Sequence, residues 1–114
     1  MATIGWHKKP ADAWVVAGWA FRQVLEDVRS QYPTDADMIS ELALARDLKY
    51  LFIDSFSPDL AKRLANAIRD TAAGILSGAI RSGLLDQPYG DANAIAEYRS
   101  ALPELIAVVS EQVV

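Results

Sequence analysis

Apolar residues recur at three- and four-residue spacing along most of the 114-residue chain, and this pattern predicts four α-helices. The first helix is predicted over residues 10–31, with an apolar stripe that includes Trp14 and a stop at Pro33. The second is predicted over residues 35–55, with Thr34 as its N-cap. Its apolar positions cover more than half of the helical wheel, so we expect it to be the most buried helix.

The third helix has the strongest local start signal, because Ser57 is a favourable N-cap and Pro58 suits the first helical position. It is predicted to continue to residue 82. Gly74 and Gly78 lie beside its apolar stripe, where glycine costs helix stability. We therefore expect a neighbouring helix to approach the backbone closely at these two glycines.

The fourth helix is predicted over residues 92–112, after the connection of residues 84–90, with Asp91 as its cap. Its outer face includes Glu111 and its apolar face ends at Val113. Pro103 lies inside the pattern and should kink or break the helix. Short connections favour antiparallel neighbours. The predicted fold is a single all-α domain over residues 1–114, an up-down four-helix bundle with five pieces if Pro103 breaks the last helix.

Composition narrows the classes of function. The chain has 15 acidic and 11 basic residues, a balance that argues against a nucleic-acid-binding protein. It has no cysteine, so disulfides and thiolate metal sites are excluded, which suits the cytoplasm. The apolar run that follows Lys8 and Lys9 is interrupted at its start by Pro10 and Asp12, so we expect no secretory signal. No apolar run has the roughly 20 residues that span a membrane.

No motif for catalysis stands out. His7 is the single histidine, and it lies in a segment that we expect to be frayed and solvated. The chain has no Gly-rich phosphate loop and no zinc-binding H-E-x-x-H. Asp47 and Asp54 share a helix face, but the Glu-x-x-Glu and Glu-x-x-His repeats of carboxylate-bound metals are missing. We therefore predict no enzyme, cofactor or metal, and a carboxylate-metal enzyme is the least favoured alternative.

Two features suggest a partner-binding surface. Trp19 lies off the apolar stripe of the first helix, and tryptophan is a favoured interface anchor. The alternative is that Trp19 packs against the N-terminal arm or a neighbouring helix of the bundle. Five acidic residues cluster around the predicted turn between the first two helices: Glu26, Asp27, Asp35, Asp37 and Glu41. They could bind a basic partner, or they could serve solubility and the helix dipole.

In size, acidity and lack of catalytic motifs, the chain resembles small bacterial accessory proteins of the immunity, antitoxin and phage-inhibitor kind. The resemblance implies a non-enzymatic protein that occludes a partner protein, such as a basic toxin or nuclease. The alternative is a helical homo-oligomeric scaffold or an accessory subunit of a larger assembly. A homodimer of that kind should bury Trp19, or Leu76 and Ile80, across a two-fold axis.

Overall fold

The computed structural model describes residues 1–110, and in them the fold is a mixture of helices and a small sheet. The prediction of an all-α four-helix bundle is therefore wrong. The order of elements is β1 (Ala2–Gly5), β2 (Trp14–Val16), α1 (Gly18–Gln31), α2 (Ala36–Leu48), β3 (Tyr50–Phe52), α3 (Pro58–Ser77) and α4 (Ala92–Ser110), with short 3-10 helices at Ile53–Ser55 and Gly83–Asp86.

The three strands form a mixed sheet in the order β2-β1-β3. The central strand β1 runs antiparallel to β2 and parallel to β3. One row of side chains, Trp14–Ile4–Leu51, is buried against the helices, whereas the next row, Val15–Thr3–Tyr50, faces outward. This alternation is the period of a half-buried strand. Each strand has just three or four residues, which is too short for the alternation to be recognised in the sequence beside the helical spacing of apolar residues.

The first helix begins at Gly18 rather than at residue 10, because the segment around Trp14 joins the sheet. Trp14 is buried as predicted, but it reaches the core from a strand. Its indole N–H donates to the carbonyl of Ala101 in α4 at 2.9 Å. Strand β2 is thereby tied to the last helix.

The second helix ends at Leu48, well before residue 55. Lys49 adopts the left-handed conformation, with φ of 66°, and its N–H bonds to the carbonyl of Ala45. The chain then turns into β3. The expectation that this helix would be the most buried is also wrong, since it buries just Met38, Leu42 and Ala45.

The third helix starts as predicted, with the Ser57 hydroxyl accepting the N–H of Leu60 and Pro58 in the first turn. It ends at Ser77, earlier than predicted. Gly78 has a φ of +85°, and apart from its chain neighbours and the backbone of its own helix, no atom of the described residues lies within 4 Å of the position that a Cβ would take there. Gly78 therefore terminates the helix, and the predicted close approach of a neighbouring helix at this residue is absent. At Gly74 the close approach is made by the Ile80 side chain of the returning chain, and not by another helix.

The fourth helix is capped as predicted, with Asp91 accepting the N–H of Ala94 at 2.8 Å. It continues through Pro103 to Ser110, so the predicted break is absent from the described helix. The predicted end at residue 112 and the side chains of Glu111 and Val113 lie outside the described residues. Within residues 1–110, no helix has the length and apolar character needed to cross a membrane.

Candidate functional site

The predicted acidic cluster does not form one continuous negative surface. Asp35, and not the predicted Thr34, caps α2 by accepting the N–H of Met38. Asp35 also pairs with Arg63 of α3 at 2.6 Å. This pairing, with the Met38 N–H, holds the pKa of Asp35 below its usual value. Arg63 also lies 3.9 Å from Asp37 and 3.1 Å from Asp59, so one guanidinium offsets several carboxylates.

The other members of the cluster diverge. Glu26 lies 3.6 Å from Arg29 and 3.8 Å from Arg46, so its charge is also offset. Asp27 is 3% exposed and lies inside the protein, where a partner cannot touch it. Glu41 is half-buried and lines a surface groove, at a distance along α2 from the turn.

Asp27 is the acceptor of a buried network. Its Oδ1 accepts from the side-chain amide of Gln23 and the backbone N–H of Gly83, and its Oδ2 accepts from the hydroxyls of Ser82 and Tyr98. The pKa of Tyr98 is raised far above its usual value, mainly by burial and to a smaller extent by the charge of Asp27. The Tyr98 hydroxyl therefore keeps its proton and donates it in the hydrogen bond to Asp27. The network joins α1 to the chain after α3 and to α4, and it is structural.

Trp19 and the predicted dimer contacts are used within the chain. Trp19 is half-buried and makes an edge-on contact with Tyr89, and its ring centroid is also 6.4 Å from that of Tyr98. Leu76 packs against the core, and Ile80 covers Gly74. These side chains are occupied by intramolecular packing.

A groove of about 370 Å³ opens at the surface, within the size range of ligand-binding sites. We call it the α2–β3 groove, because most of its walls come from these two elements. Its lining residues are His7, Glu41, Leu44, Ala45, Leu48, Tyr50, Leu51, Phe52, Ser55 and Phe56.

The groove runs along β3. Successive residues of a strand point to opposite faces of a sheet. Tyr50, Leu51 and Phe52 all line the groove opposite Leu44 and Leu48 of α2, so the groove follows β3 along its length. Ala45 and Leu51 are buried and form its floor. The left-handed turn at Lys49 folds α2 back beside β3 and creates the groove.

The walls of the groove carry large apolar side chains that are exposed to solvent. Leu44 is 52% exposed, Leu48 45% and Tyr50 44%. The sequence pattern predicts both leucines to be in the core, because they continue the apolar positions of the second helix. In the structure, the apolar residues of α2 lie on two faces: Met38, Leu42 and Ala45 are buried, whereas Leu44 and Leu48 are exposed.

One end of the groove is held by Asp54. Its carboxylate accepts the backbone N–H of His7 at 2.8 Å and that of Lys8 at 3.0 Å, and the imidazole Nδ1 of His7 lies 3.5 Å away. The His7 ring stacks on Phe52, with ring centroids 4.3 Å apart. Although burial acts to raise the pKa of Asp54, these N–H groups lower it overall. His7 is exposed as expected, but it is fixed in place and not frayed.

A second cavity of about 250 Å³ lies beside the end of α3. The two arginines that line it have structural partners. Arg81 forms a bidentate pair with Asp86, and Arg99 donates to the carbonyls of Ile75 and Leu76 at the end of α3. Its polar groups therefore hold the connection to α4 in place.

Residues 1–110 contain no group of three or more side chains placed to hold a metal ion. No family model, no curated protein and no solved structure matches the chain. Because a fold does not specify a function, the function has to be inferred from the α2–β3 groove itself.

Proposed function

We propose that the protein is a small binding module that occludes a partner protein, and that the partner docks in the α2–β3 groove. The observation that carries the proposal is the clustering of exposed apolar side chains. Leu44, Leu48 and Tyr50 are large, are each more than two-fifths exposed, and line the same groove. Contiguous exposed apolar surface is typical of interaction sites, whereas scattered single residues are not.

The charges beside the groove indicate what the partner segment carries. Glu41 lines the groove. Asp37 lies one helical turn earlier on the same face of α2, where Arg63 offsets part of its charge, so Glu41 is the carboxylate that the groove itself presents. The acidic end of the groove therefore complements a Lys or Arg beside the apolar side chains of the partner. This retains the basic partner of the sequence-based hypothesis but moves the contact from the first interhelical turn to α2 and β3.

Selection from a random-peptide library against the immobilised protein tests the proposal. We expect enriched peptides to carry two or three apolar residues next to a Lys or Arg. Their affinity should fall by about tenfold or more in the double variant Leu44→Gln, Leu48→Gln, because its groove walls are polar. Glutamine keeps helix propensity near that of leucine, so α2 should remain folded.

Leu85→Gln is the matched control, because Leu85 is 46% exposed and lies outside the groove. Peptides that bind the double variant and the control equally well, or a selection that enriches no peptide, would contradict the proposal. If the protein sediments as a dimer that the double variant dissociates, the groove is filled by a second copy. The homo-oligomeric alternative would then replace the proposal.

A charge variant tests the acidic end separately. Glu41→Gln should slow peptide association several-fold at low ionic strength and have little effect at high salt, because long-range attraction accelerates encounter and salt screens it. Glu97→Gln, an exposed position on α4, should leave the association rate unchanged. Equal association rates for the two variants at low salt would show that Glu41 is not part of the docking surface.

A further inference from the structure

We infer that the partner segment binds the α2–β3 groove as an extended strand that pairs with the outer edge of β3, an inference that rests on the proposed function. In the sheet order β2-β1-β3 of the described residues, strand β3 has a neighbour on one side alone. Helix α2 forms the opposite wall of the groove and packs against β3, so we place the groove along the open side of β3, where a fourth strand would be added.

The register of the sheet shows which main-chain groups such a strand would meet. The N–H of Thr3 donates to the carbonyl of Lys49 at 3.2 Å, and Thr3 is aligned with Tyr50 in the parallel pair. Residues of a strand direct their main-chain groups alternately to its two sides. Leu51 therefore faces β1, whereas Tyr50 and Phe52 direct their N–H and C=O groups toward the groove.

One of these outward groups already has an intramolecular partner. The carbonyl of Phe52 accepts the hydroxyl of Ser55 at 2.6 Å. The N–H and C=O of Tyr50 and the N–H of Phe52 are the groups that an added strand would bind. An added strand would thus make a short ladder centred on Tyr50.

The walls of the groove suit the side chains of an added strand. Alternate side chains of a strand point to opposite faces. One set from the partner would therefore contact Leu44 and Leu48 on α2, and the other set would extend the outer row that contains Tyr50. A helical segment fits less well, because its N–H and C=O groups are already bonded to each other and cannot pair with Tyr50.

Backbone methylation of the tightest selected peptide tests this binding mode without altering the protein. Each residue is replaced in turn by its N-methyl form, which removes one N–H and keeps the side chain. Strand pairing predicts that methylation at every second position in the central segment weakens binding by about tenfold or more, and that the positions between are tolerated. A helical peptide would instead lose affinity at successive interior positions.

Amide hydrogen exchange gives an independent measurement on the whole chain. Saturating peptide should slow exchange strongly at Tyr50 and Phe52, and change it little at Leu51, whose N–H already faces β1. A peptide that needs Leu44 and Leu48 but shows no two-residue methylation period and no slowing at Tyr50 would overturn the strand inference. In that case the proposed function would stand. Binding that does not need the two leucines would overturn both.

Discussion

The hydroxyl of Tyr98 donates a hydrogen bond of 2.8 Å to the carboxylate of Asp27 in the interior of the protein. Gln23, Ser82 and the N–H of Gly83 supply the other donors. A buried carboxylate is costly unless hydrogen bonds replace its hydration. The four donors meet this need without a cation, and they fix the connection between α3 and α4.

Tyr98→Phe should lower the free energy of unfolding by about 1.5–3 kcal/mol, because it removes one hydrogen bond to a buried charge. Asp27→Ala should cost more, since it leaves several buried donors without an acceptor. Urea denaturation measures both. Tyr89→Phe is the control, since Tyr89 is exposed, and it should change stability by about 0.5 kcal/mol or less. Equal stability of the two Tyr→Phe variants would show that the network contributes nothing.

The contact between Asp54 and the chain at His7 and Lys8 should make stability depend on pH. The pKa of Asp54 is lower in the folded protein than in the unfolded chain, so its contribution is complete above about pH 4 and is lost as the pH falls through the folded value. Thermal unfolding should therefore show wild type more stable than Asp54→Asn at neutral pH, with the difference shrinking in acid. A difference that stays constant with pH would exclude the ionised carboxylate as its source.

The loss of stability on substituting Gly78 should come from its left-handed backbone conformation and not from a clash with neighbouring atoms. Gly78→Ala should destabilise by about 1–2 kcal/mol, because φ of +85° strains any residue with a Cβ, and Gly78→Asn should cost less. Gly18→Ala is the matched control, since Gly18 also has open space around it but no positive φ. Chemical denaturation that ranks the two alanine variants equally would contradict this explanation.

Local signals correctly predicted the starts of the third and fourth helices. Ser57 with Pro58, and Asp91, act within one turn of their helices, so the caps they form could be derived from neighbouring residues alone. The sheet could not be derived in this way. Thr3 and Tyr50 are adjacent in the parallel pair but far apart in the chain, and no turn residue records a parallel pairing.

The candidate site was hidden for a related reason. Leu44 and Leu48 have the spacing of core residues, and a wide apolar arc looks the same whether all of it is buried or part of it faces solvent. Asp27 was grouped with surface acids because its partners Ser82 and Tyr98 come from distant segments. Tertiary structure, and not local pattern, separates the buried carboxylate from the exposed ones.

A nuclear magnetic resonance titration of the isotope-labelled protein with the tightest selected peptide locates the docking surface residue by residue. We expect the amide signals with the largest shifts to be those around Glu41, Leu44, Leu48 and along β3. The Leu44→Gln, Leu48→Gln variant should show little change at the same peptide concentration. Shifts centred instead on Glu26 at the first interhelical turn, or on the connection of residues 78–91, would contradict the α2–β3 groove as the docking site.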